Sequence, residues 1–358
     1  MNTSVTNDYA SSSPALVMGA NGFMGSHVTR LLVAQGRSVR AMVRPTSDLS
    51  ALEGLNIEIC YGDISDSDSV RAAMRGCGSV FYNVVDTRAW LVDSTPLYRT
   101  NVDGLANVLD AAVAENITRF VFTSSMVTLP RHSGSPAQED QAFDWWDEAP
   151  DYVKTRVLAE KAVTDAVSER GLPAVMLCVA NTYGPDDFGP TPHGNALWQA
   201  TKRKNTALDC SLPIVDVRDA AQACLLAETQ GRIGERYAIV SECLRQQDFY
   251  AMAAESMGFE KPAVLSMRKA YVLATIAEVI NRLRGIKDAK FCRTSMFLSE
   301  AFGPMNHAKA AAELGWAPRP LSETVSDAIA WYRNHNPKPE TRNPKPETRN
   351  PKPNQETP

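Results

Sequence analysis

A glycine-rich segment near the start of the chain is the first feature whose residue types and spacing could do chemistry. Gly19, Gly22 and Gly25 recur every third residue directly after the apolar run at residues 15–18. Glycine permits a tight turn, lets the backbone approach a pyrophosphate closely, and lets a helix pack near a strand. The N-terminus of the helix that follows would attract the phosphate charge. The segment therefore predicts a dinucleotide-binding turn.

The end of the second apolar run, residues 38–43, indicates which dinucleotide is bound. Val43 stands where a NAD site would present a carboxylate to the ribose hydroxyls, and Arg44 follows it. A guanidinium can form paired hydrogen bonds with a 2′-phosphate, so we expect NADP(H), with NAD(H) as the alternative. Arg44 could also be an ordinary solvated loop residue. Asp63 and Ile64, at the end of the third run, are expected to meet the adenine.

These residues require a fold that brings several strand ends together. Short β-branched runs alternate with helical patterns, which predicts an α/β, doubly wound parallel sheet. The predicted strands are residues 15–18, 38–43, 57–61, 79–82, 119–122 and 174–179. Predicted helices include residues 24–34 and residues 96–114, the second with Thr95 as its N-cap and Pro96 as its first residue.

The pattern divides the chain into four parts. Residues 14–180 form the predicted NADP-binding Rossmann domain, and residues 181–334 a smaller C-terminal substrate lobe with segments that return to the sheet, such as a strand at 236–240. Residues 1–13 are a polar lead-in. Residues 335–358 contain a Pro-rich seven-residue repeat without apolar residues, so both ends are expected to be disordered.

Composition excludes several classes of function. With a net charge of −4 and no basic block, the chain is not expected to bind nucleic acid as its main activity. Its seven cysteines are scattered and never spaced CxxC, so neither a metal site nor a disulfide framework is predicted. This pattern favours a reducing, cytoplasmic location. A monomer or homodimer acting on a small molecule is expected.

The longest apolar stretch, residues 271–280, bears on whether the protein meets a membrane. Thr275 and Glu278 interrupt it, and it is far shorter than the roughly 20 residues that span a bilayer. No integral membrane span is therefore predicted. Its spacing favours an amphipathic helix that packs on the protein's own core, and a position on a membrane surface is the alternative.

Several motifs follow one another along residues 15–333. They are the Gly19 turn, Gly62-Asp63-Ile64, Asn101-Val102-Asp103-Gly104, Thr123-Ser124-Ser125, Tyr152 with its helix, Asn181-Thr182-Tyr183-Gly184-Pro185 and Leu314-Gly315-Trp316. Together they resemble the motifs of the extended short-chain dehydrogenase/reductase family, in the NAD-dependent epimerase/dehydratase superfamily. The branch to which they are most similar contains dihydroflavonol reductases, hydroxysteroid dehydrogenases and sugar epimerases.

The resemblance implies a role for individual residues. Ser125 would hydrogen-bond the substrate oxygen, and Tyr152 would be the general acid in reduction or the base in oxidation. A phenol with a pKa near 10 needs a neighbouring positive charge to act as a base near neutral pH. The positions that would touch the cofactor are Phe23, Met24, Asn101, Tyr152, Arg156 and Ala180.

The chain departs from the family pattern next to the tyrosine. The family places a lysine four residues after it, where this chain has Arg156, whereas Lys154 at i+2 points elsewhere. Arginine keeps the positive charge but is longer and planar. Arg156 is therefore assigned the lysine's role. Val84 and Val85 also replace smaller residues beside the cofactor.

These features predict an NADP(H)-dependent oxidoreductase that interconverts a secondary alcohol and a ketone on an apolar, ring-containing substrate resembling a steroid or flavonoid. Two alternatives are a nucleotide-sugar epimerase or dehydratase, and a non-catalytic protein that senses NADP(H). An aromatic cluster at residues 143–146 could wall the substrate pocket or anchor its own loop on the core.

Overall fold

A computed structural model describes residues 13–131, 136–202 and 205–335. The predicted lead-in before Ser13 and the repeat beyond His335, which ends the last helix, lie outside the described residues. The strands are β1 Ala15–Met18, β2 Val39–Val43, β3 Glu58–Tyr61, β4 Ser79–Tyr82, β5 Arg119–Ser125, β6 Ala174–Val179, β7 Asn181–Tyr183, β8 Thr206–Leu208, β9 Ser211–Asp216, β10 Arg236–Ile239, β11 Glu242–Arg245 and β12 Ala263–Leu265. The helices are α1 Phe23–Ala34, α2 Ser67–Met74, α3 Thr95–Tyr98, α4 Gly104–Ala114, α5 Asp151–Arg170, α6 Pro192–Ala200, α7 Val217–Gln230, α8 Gln246–Ser256, α9 Met267–Leu283, α10 Arg293–Glu300, α11 Ala308–Leu314 and α12 Leu321–His335.

The main sheet has seven parallel strands in the order β10-β6-β5-β4-β1-β2-β3. The predicted doubly wound fold is confirmed, and all six predicted strands are present. The strand order changes direction between β1 and β4. In such sheets ligands bind in the crevice beyond the carboxyl ends of the strands at this point.

Both faces of the sheet are covered by helices, which explains why β1, β4 and β6 are buried along their whole length. On one face α1 and α7 pack on the sheet through residues such as Val28 and Ala220. On the other face α2, α4 and α5 pack through Val70, Leu105 and Val163. The apolar runs of the sequence therefore become the centre of a three-layer core.

The helix predicted at residues 96–114 is interrupted. A π-helical turn, Arg99–Asp103, separates α3 from α4. Ser94, not Thr95, is the N-cap, because the Asp93 carboxylate accepts a hydrogen bond from the Thr95 amide (3.0 Å) and starts the helix one residue earlier. Pro96 is therefore the second residue of α3 and not, as predicted, the first. The interruption matters because it contains Asn101.

The C-terminal part contains a three-stranded sheet, β11-β9-β7, and a two-stranded sheet, β12-β8. Charged and aromatic contacts join it to α7. The buried Asp216 carboxylate accepts a hydrogen bond from Arg218 Nη2 (2.7 Å), and Asp219 Oδ1 accepts one from Arg319 Nε (2.9 Å). The Trp316 indole N–H donates to Asp219 O (2.8 Å). These contacts tie the last helices to the edge of the main core.

The amphipathic segment forms α9, but the expectation that its apolar face packs on the core is wrong. The residues that it buries are Met267, Ala270 and Ala274. The large aliphatic residues of the predicted stripe lie on another face and are exposed, because the small alanines and Met267 make the contact with the body. Among the described residues, no helix combines the length and the apolarity that crossing a bilayer requires.

Candidate active site

The glycine turn forms a cradle at the carboxyl end of β1. Gly19 has a φ of 72°, and a Cβ atom placed on Gly25 would lie 2.2 Å from Gly19 O. The Gly22 amide donates to Gly19 O (3.0 Å) and closes the turn. No side chain caps the N-terminus of α1. The cradle thus leaves helix-terminal N–H groups at the crevice, as a bound pyrophosphate requires.

The first turn of α1 links this cradle to the residues after β7. Phe23 packs edge-on against His27, with ring centroids 5.6 Å apart, and Met24 packs on the core. His27 Nε2 lies 3.1 Å from Pro185 O. Burial is the main reason that the pKa of His27 falls to about 4, so the ring is neutral at physiological pH.

Arg44 and Asp63 follow the adjacent strands β2 and β3. Arg44 is exposed. Although partial burial raises the pKa of Asp63, hydrogen bonds from Ser65 and the charge of Arg44 lower it overall. Ile64 packs against Gly104, where a Cβ atom would lie 2.5 Å from Ile64 Cδ1. The two residues predicted at the adenosine end therefore interact electrostatically with each other.

The loop after β4 lies against the glycine cradle. A Cβ atom on Gly19 would lie 3.0 Å from Asn83 O and 3.2 Å from Val84 Cγ2. Asn83 Oδ1 accepts a hydrogen bond from Thr123 Oγ1 (2.8 Å), which ties this loop to β5. Val84 packs on the core, whereas Val85 is exposed. Val84 therefore lies between the glycine turn and the core, and Val85 faces outward.

Asn101 and Ala180 are held by protein groups. The buried Asn101 side chain accepts from the Asp86 amide (2.8 Å) and donates to Asp86 O (3.0 Å) and Thr155 Oγ1 (3.1 Å). It braces the β4 loop against α5. The Ala180 amide donates to Ile239 O (3.0 Å), which holds the link between β6 and β7.

Ser125 and Tyr152 meet where β5 ends and α5 begins. Ser125 is the last residue of β5, and Tyr152 is the second residue of α5. Burial raises the pKa of the Tyr152 phenol, while the charge of Arg156 and a hydrogen bond with Ser125 partly oppose that shift. The phenol is therefore protonated at neutral pH and lies beside a second hydroxyl.

Arg156 lies one turn after Tyr152 and is only 1% exposed. Its Nη2 donates to Thr123 O (2.8 Å), and its guanidinium lies 5.1 Å from the centre of the Phe122 ring. Its Nε and Nη1 have no partner among the described residues. Buried donors without acceptors are costly, so the site fits a ligand that brings hydroxyl acceptors, such as a nicotinamide ribose.

Glu160 is a positioning residue that the sequence analysis missed. Its carboxylate accepts hydrogen bonds from Ser124 Oγ, Thr128 Oγ1 (2.7 Å) and Arg236 Nη1 (3.0 Å). It therefore fixes α5 against β5 and β10. The signal was available: Tyr152, Arg156 and Glu160 follow one another at i+4 on one face of α5, so a second charged residue lies on the buried side.

The aromatic cluster has two separate roles. Trp145 is buried and its indole N–H donates to Leu129 O (3.2 Å), so it anchors the loop. Trp146 is 42% exposed, and Lys154 Nζ lies 5.7 Å from the centre of its ring. The Lys154 ammonium therefore packs on Trp146, whose ring is partly exposed.

The structure brings Ser125, Tyr152 and Arg156 together at one end of the sheet. In a dinucleotide site this end also holds the cradle, Arg44 and Asp63. The residues present fit a nicotinamide dinucleotide: glycines for the pyrophosphate, a cation and a carboxylate for the adenosine half, and unpaired donors for the nicotinamide half.

Comparison with known proteins agrees with this geometry. Dihydroflavonol 4-reductase is the provisional name of a Synechocystis sp. protein that is 29% identical, over 89% of this chain and 94% of its own length. Sterol demethylase protein B of Methylococcus capsulatus is 28% identical, over 89% of this chain and 98% of its own. The crystal structure of gox2253 superimposes with a TM-score of 0.80 at 33% identity, covering 90% of this chain and 99% of that one.

The family resemblance drawn from the motifs is confirmed by the match to a family model. That model covers residues 15–240, which include the glycine cradle, Ser125, Tyr152 and Arg156. The chain belongs to the NAD dependent epimerase/dehydratase family.

Proposed function

We propose that this protein is an NADP(H)-dependent oxidoreductase that interconverts a secondary alcohol and a ketone. The observation that carries the proposal is the cluster of Ser125, Tyr152 and the buried Arg156, whose Nε and Nη1 lack partners among the described residues. A phenol that can exchange a proton, beside a hydroxyl and a cation, is the set of groups that carbonyl reduction needs.

In the proposed reaction each of these residues would have one role. In reduction the substrate oxygen would accept hydrogen bonds from Ser125 and Tyr152, and Tyr152 would donate its proton as negative charge develops on that oxygen. When bound, the nicotinamide supplies or accepts the hydride. Arg156 would hold the ribose and favour the phenolate that results. Because the pKa of Tyr152 is raised, the acid form dominates at neutral pH and suits reduction.

The preference for NADP(H) rests on the residues after β2. Val43 offers no carboxylate to the adenosine ribose, and the exposed Arg44 follows it beside Asp63. A carboxylate at the end of β2 would accept the 2′-hydroxyl and repel a 2′-phosphate, whereas Arg44 can pair with the phosphate.

A small apolar, ring-containing substrate is supported by two independent observations. Trp146 is partly exposed beside the helix that begins with Tyr152, so it can stack on a ring. Two relatives also carry names that refer to ring compounds, a dihydroflavonol and a sterol. The proposed substrate class therefore matches both the exposed aromatic side chain and the chemistry for which those relatives are named.

The proposal is tested by a turnover screen with NADPH against steroidal, flavonoid-like and sugar-nucleotide carbonyls. An oxidoreductase consumes one cofactor per product, so absorbance of NADPH at 340 nm should fall in step with alcohol formation for an apolar ring ketone. An epimerase or dehydratase regenerates its cofactor, and a sensor binds it without turnover. Conversion of a sugar nucleotide without net NADPH loss would contradict the proposal, as would tight binding with no turnover of any carbonyl.

A further inference from the structure

Helix α9 exposes a continuous aliphatic stripe. Its members are Val272, Leu273, Ile276, Val279, Ile280 and Leu283, whose exposed fractions run from 41% to 83%. At about 100° per residue these positions fall within roughly one third of the helix circumference. Single exposed aliphatic residues are ordinary, but a contiguous group marks a surface that binds something. None of the described residues covers this stripe.

The segment that carries the stripe is strongly basic. Residues 267–293 contain seven basic and two acidic residues, a net charge of +5 in a chain whose total is −4. The basic residues are Arg268, Lys269, Arg282, Arg284, Lys287, Lys290 and Arg293. All seven are exposed. The complementary partner is therefore apolar and negatively charged.

The same segment touches elements on both sides of the candidate site. Lys290 Nζ lies 5.4 Å from the centre of the Trp90 ring, and the Val92 amide donates to Asp288 Oδ1 (3.4 Å), both in the loop after β4. On α10, which packs against α9, Phe297 lies 6.2 Å from Trp145 in the loop that leads to Tyr152. A partner on α9 would therefore lie beside the loops that border the site.

We propose that α9 and the segment up to Arg293 dock on an anionic lipid surface. An amphipathic helix with aliphatic residues on one face and basic residues beside them lies in the plane of such an interface. A second copy of this chain fits less well, because an isologous contact would bring two segments of charge +5 together. Docking would bring the loops around the site to the membrane, where apolar substrates dissolve.

The inference is tested by sedimenting the full chain with vesicles, without any turnover, so its outcome is independent of the proposed reaction. Binding should be strong to vesicles rich in phosphatidylglycerol, weak to pure phosphatidylcholine, and reduced by salt. The double variant Arg282→Glu/Arg284→Glu should weaken anionic binding at least about tenfold. Val279→Asp with Leu283→Asp should remove binding to both vesicle types.

A matched control distinguishes binding through this surface from non-specific hydrophobic binding to vesicles. Ile233→Asp changes another exposed aliphatic residue, 57% exposed between α7 and β10, and should leave vesicle binding unchanged. Absence of binding to any vesicle would overturn the inference. So would a stable dimer in sedimentation equilibrium that Val279→Asp dissociates, because a second copy would then be the partner of the stripe.

Discussion

Tyr152 and Arg156 lie one helical turn apart on α5, and in the proposed reaction they would act together in proton transfer. Burial alone would hold the phenol protonated, and Arg156 and Ser125 oppose that effect while Asp86 adds to it. Arginine at this position keeps the charge of the family's lysine, and its Nη2 donates a hydrogen bond to Thr123 O. The charge near the phenol should therefore be visible in the pH dependence of oxidation.

Replacing Arg156 by Met keeps an unbranched apolar stem and removes the charge. Since the phenolate loses a stabilising cation, the alkaline limb of the rate of alcohol oxidation should move up by about one pH unit or more. Arg156→Lys should keep the limb near its parental position. Lys154→Ala, on the same helix but directed at Trp146, is the control and should not move it. A superimposable profile for Arg156→Met would contradict the assignment.

Arg44 is the residue that should separate the two cofactors. Hydrogen bonds to charged groups contribute about 1.5–3 kcal/mol, so Arg44→Ala should weaken NADPH binding roughly tenfold to a hundredfold while leaving NADH affinity nearly unchanged. Isothermal titration measures both affinities. Arg71→Ala, an exposed arginine on α2, serves as the control. Equal affinities of the parent protein for NADPH and NADH would contradict the proposed preference for NADP(H).

At the scale of elements, local pattern predicts the parallel sheet well because strands such as β1 and β6 are apolar runs buried on both faces. The sequence pattern does not predict local structure where a contact between distant residues determines it. The π-helical turn at Arg99–Asp103 contains Asn101, whose amide bonds Asp86 and Thr155 far along the chain. The prediction that the apolar face of α9 packs on the core is wrong for a similar reason. Hydrophobic spacing shows that a helix face is apolar, but it does not show what covers that face.

Glu160 illustrates the same limit within the candidate site. Its neighbours come from β5, from Thr128 after it, and from β10, which lies 76 residues further along the chain at Arg236. Neither spacing nor composition shows that contact. The position of α5, and hence of Tyr152, depends on it. The energetic consequence can be measured directly.

Glu160→Ala would leave the Arg236 guanidinium partly buried without its carboxylate. Breaking a buried ion pair from one side typically costs about 3–5 kcal/mol, and a loss near the lower value is expected because Arg236 also donates to Glu139 O and Gln141 O. Urea unfolding measures it. Lys161→Ala, which breaks the adjacent exposed pair with Asp165, should leave the free energy of unfolding nearly unchanged. Equal, small losses for both variants would contradict the positioning role.

At the scale of the whole molecule, the C-terminal part is fastened to the cofactor-binding core by buried polar contacts. His27 on α1 contacts Pro185 O, which follows β7, at the junction of the two parts. Its pKa is about 4 in the fold against 6.5 for a free histidine, chiefly because it is buried. The folded state therefore favours the neutral form of the His27 ring, and protonation of His27 opposes folding.

The stability of the molecule should then depend on pH in a defined window. Between pH 6.5 and 4 the unfolded chain binds a proton at His27 that the folded chain does not. As the pH falls through this window, His27 therefore lowers the free energy of unfolding by about 3 kcal/mol. His27→Gln, which keeps a donor for Pro185 O, should lose less between pH 7 and 4.5 in urea titrations. An equal loss in parent and variant would show that His27 does not contribute.

The most direct test of the central claim is single-turnover reduction by Tyr152→Phe, followed by the loss of NADPH absorbance with the fastest ketone of the turnover screen. The variant loses only the transferable proton, so the rate of hydride transfer should fall about a hundredfold or more. NADPH affinity, measured by isothermal titration, should fall by no more than roughly tenfold, because losing one neutral hydrogen bond costs about 0.5–1.5 kcal/mol. A rate equal to that of the parent would contradict the assignment of Tyr152 as the proton-transfer residue.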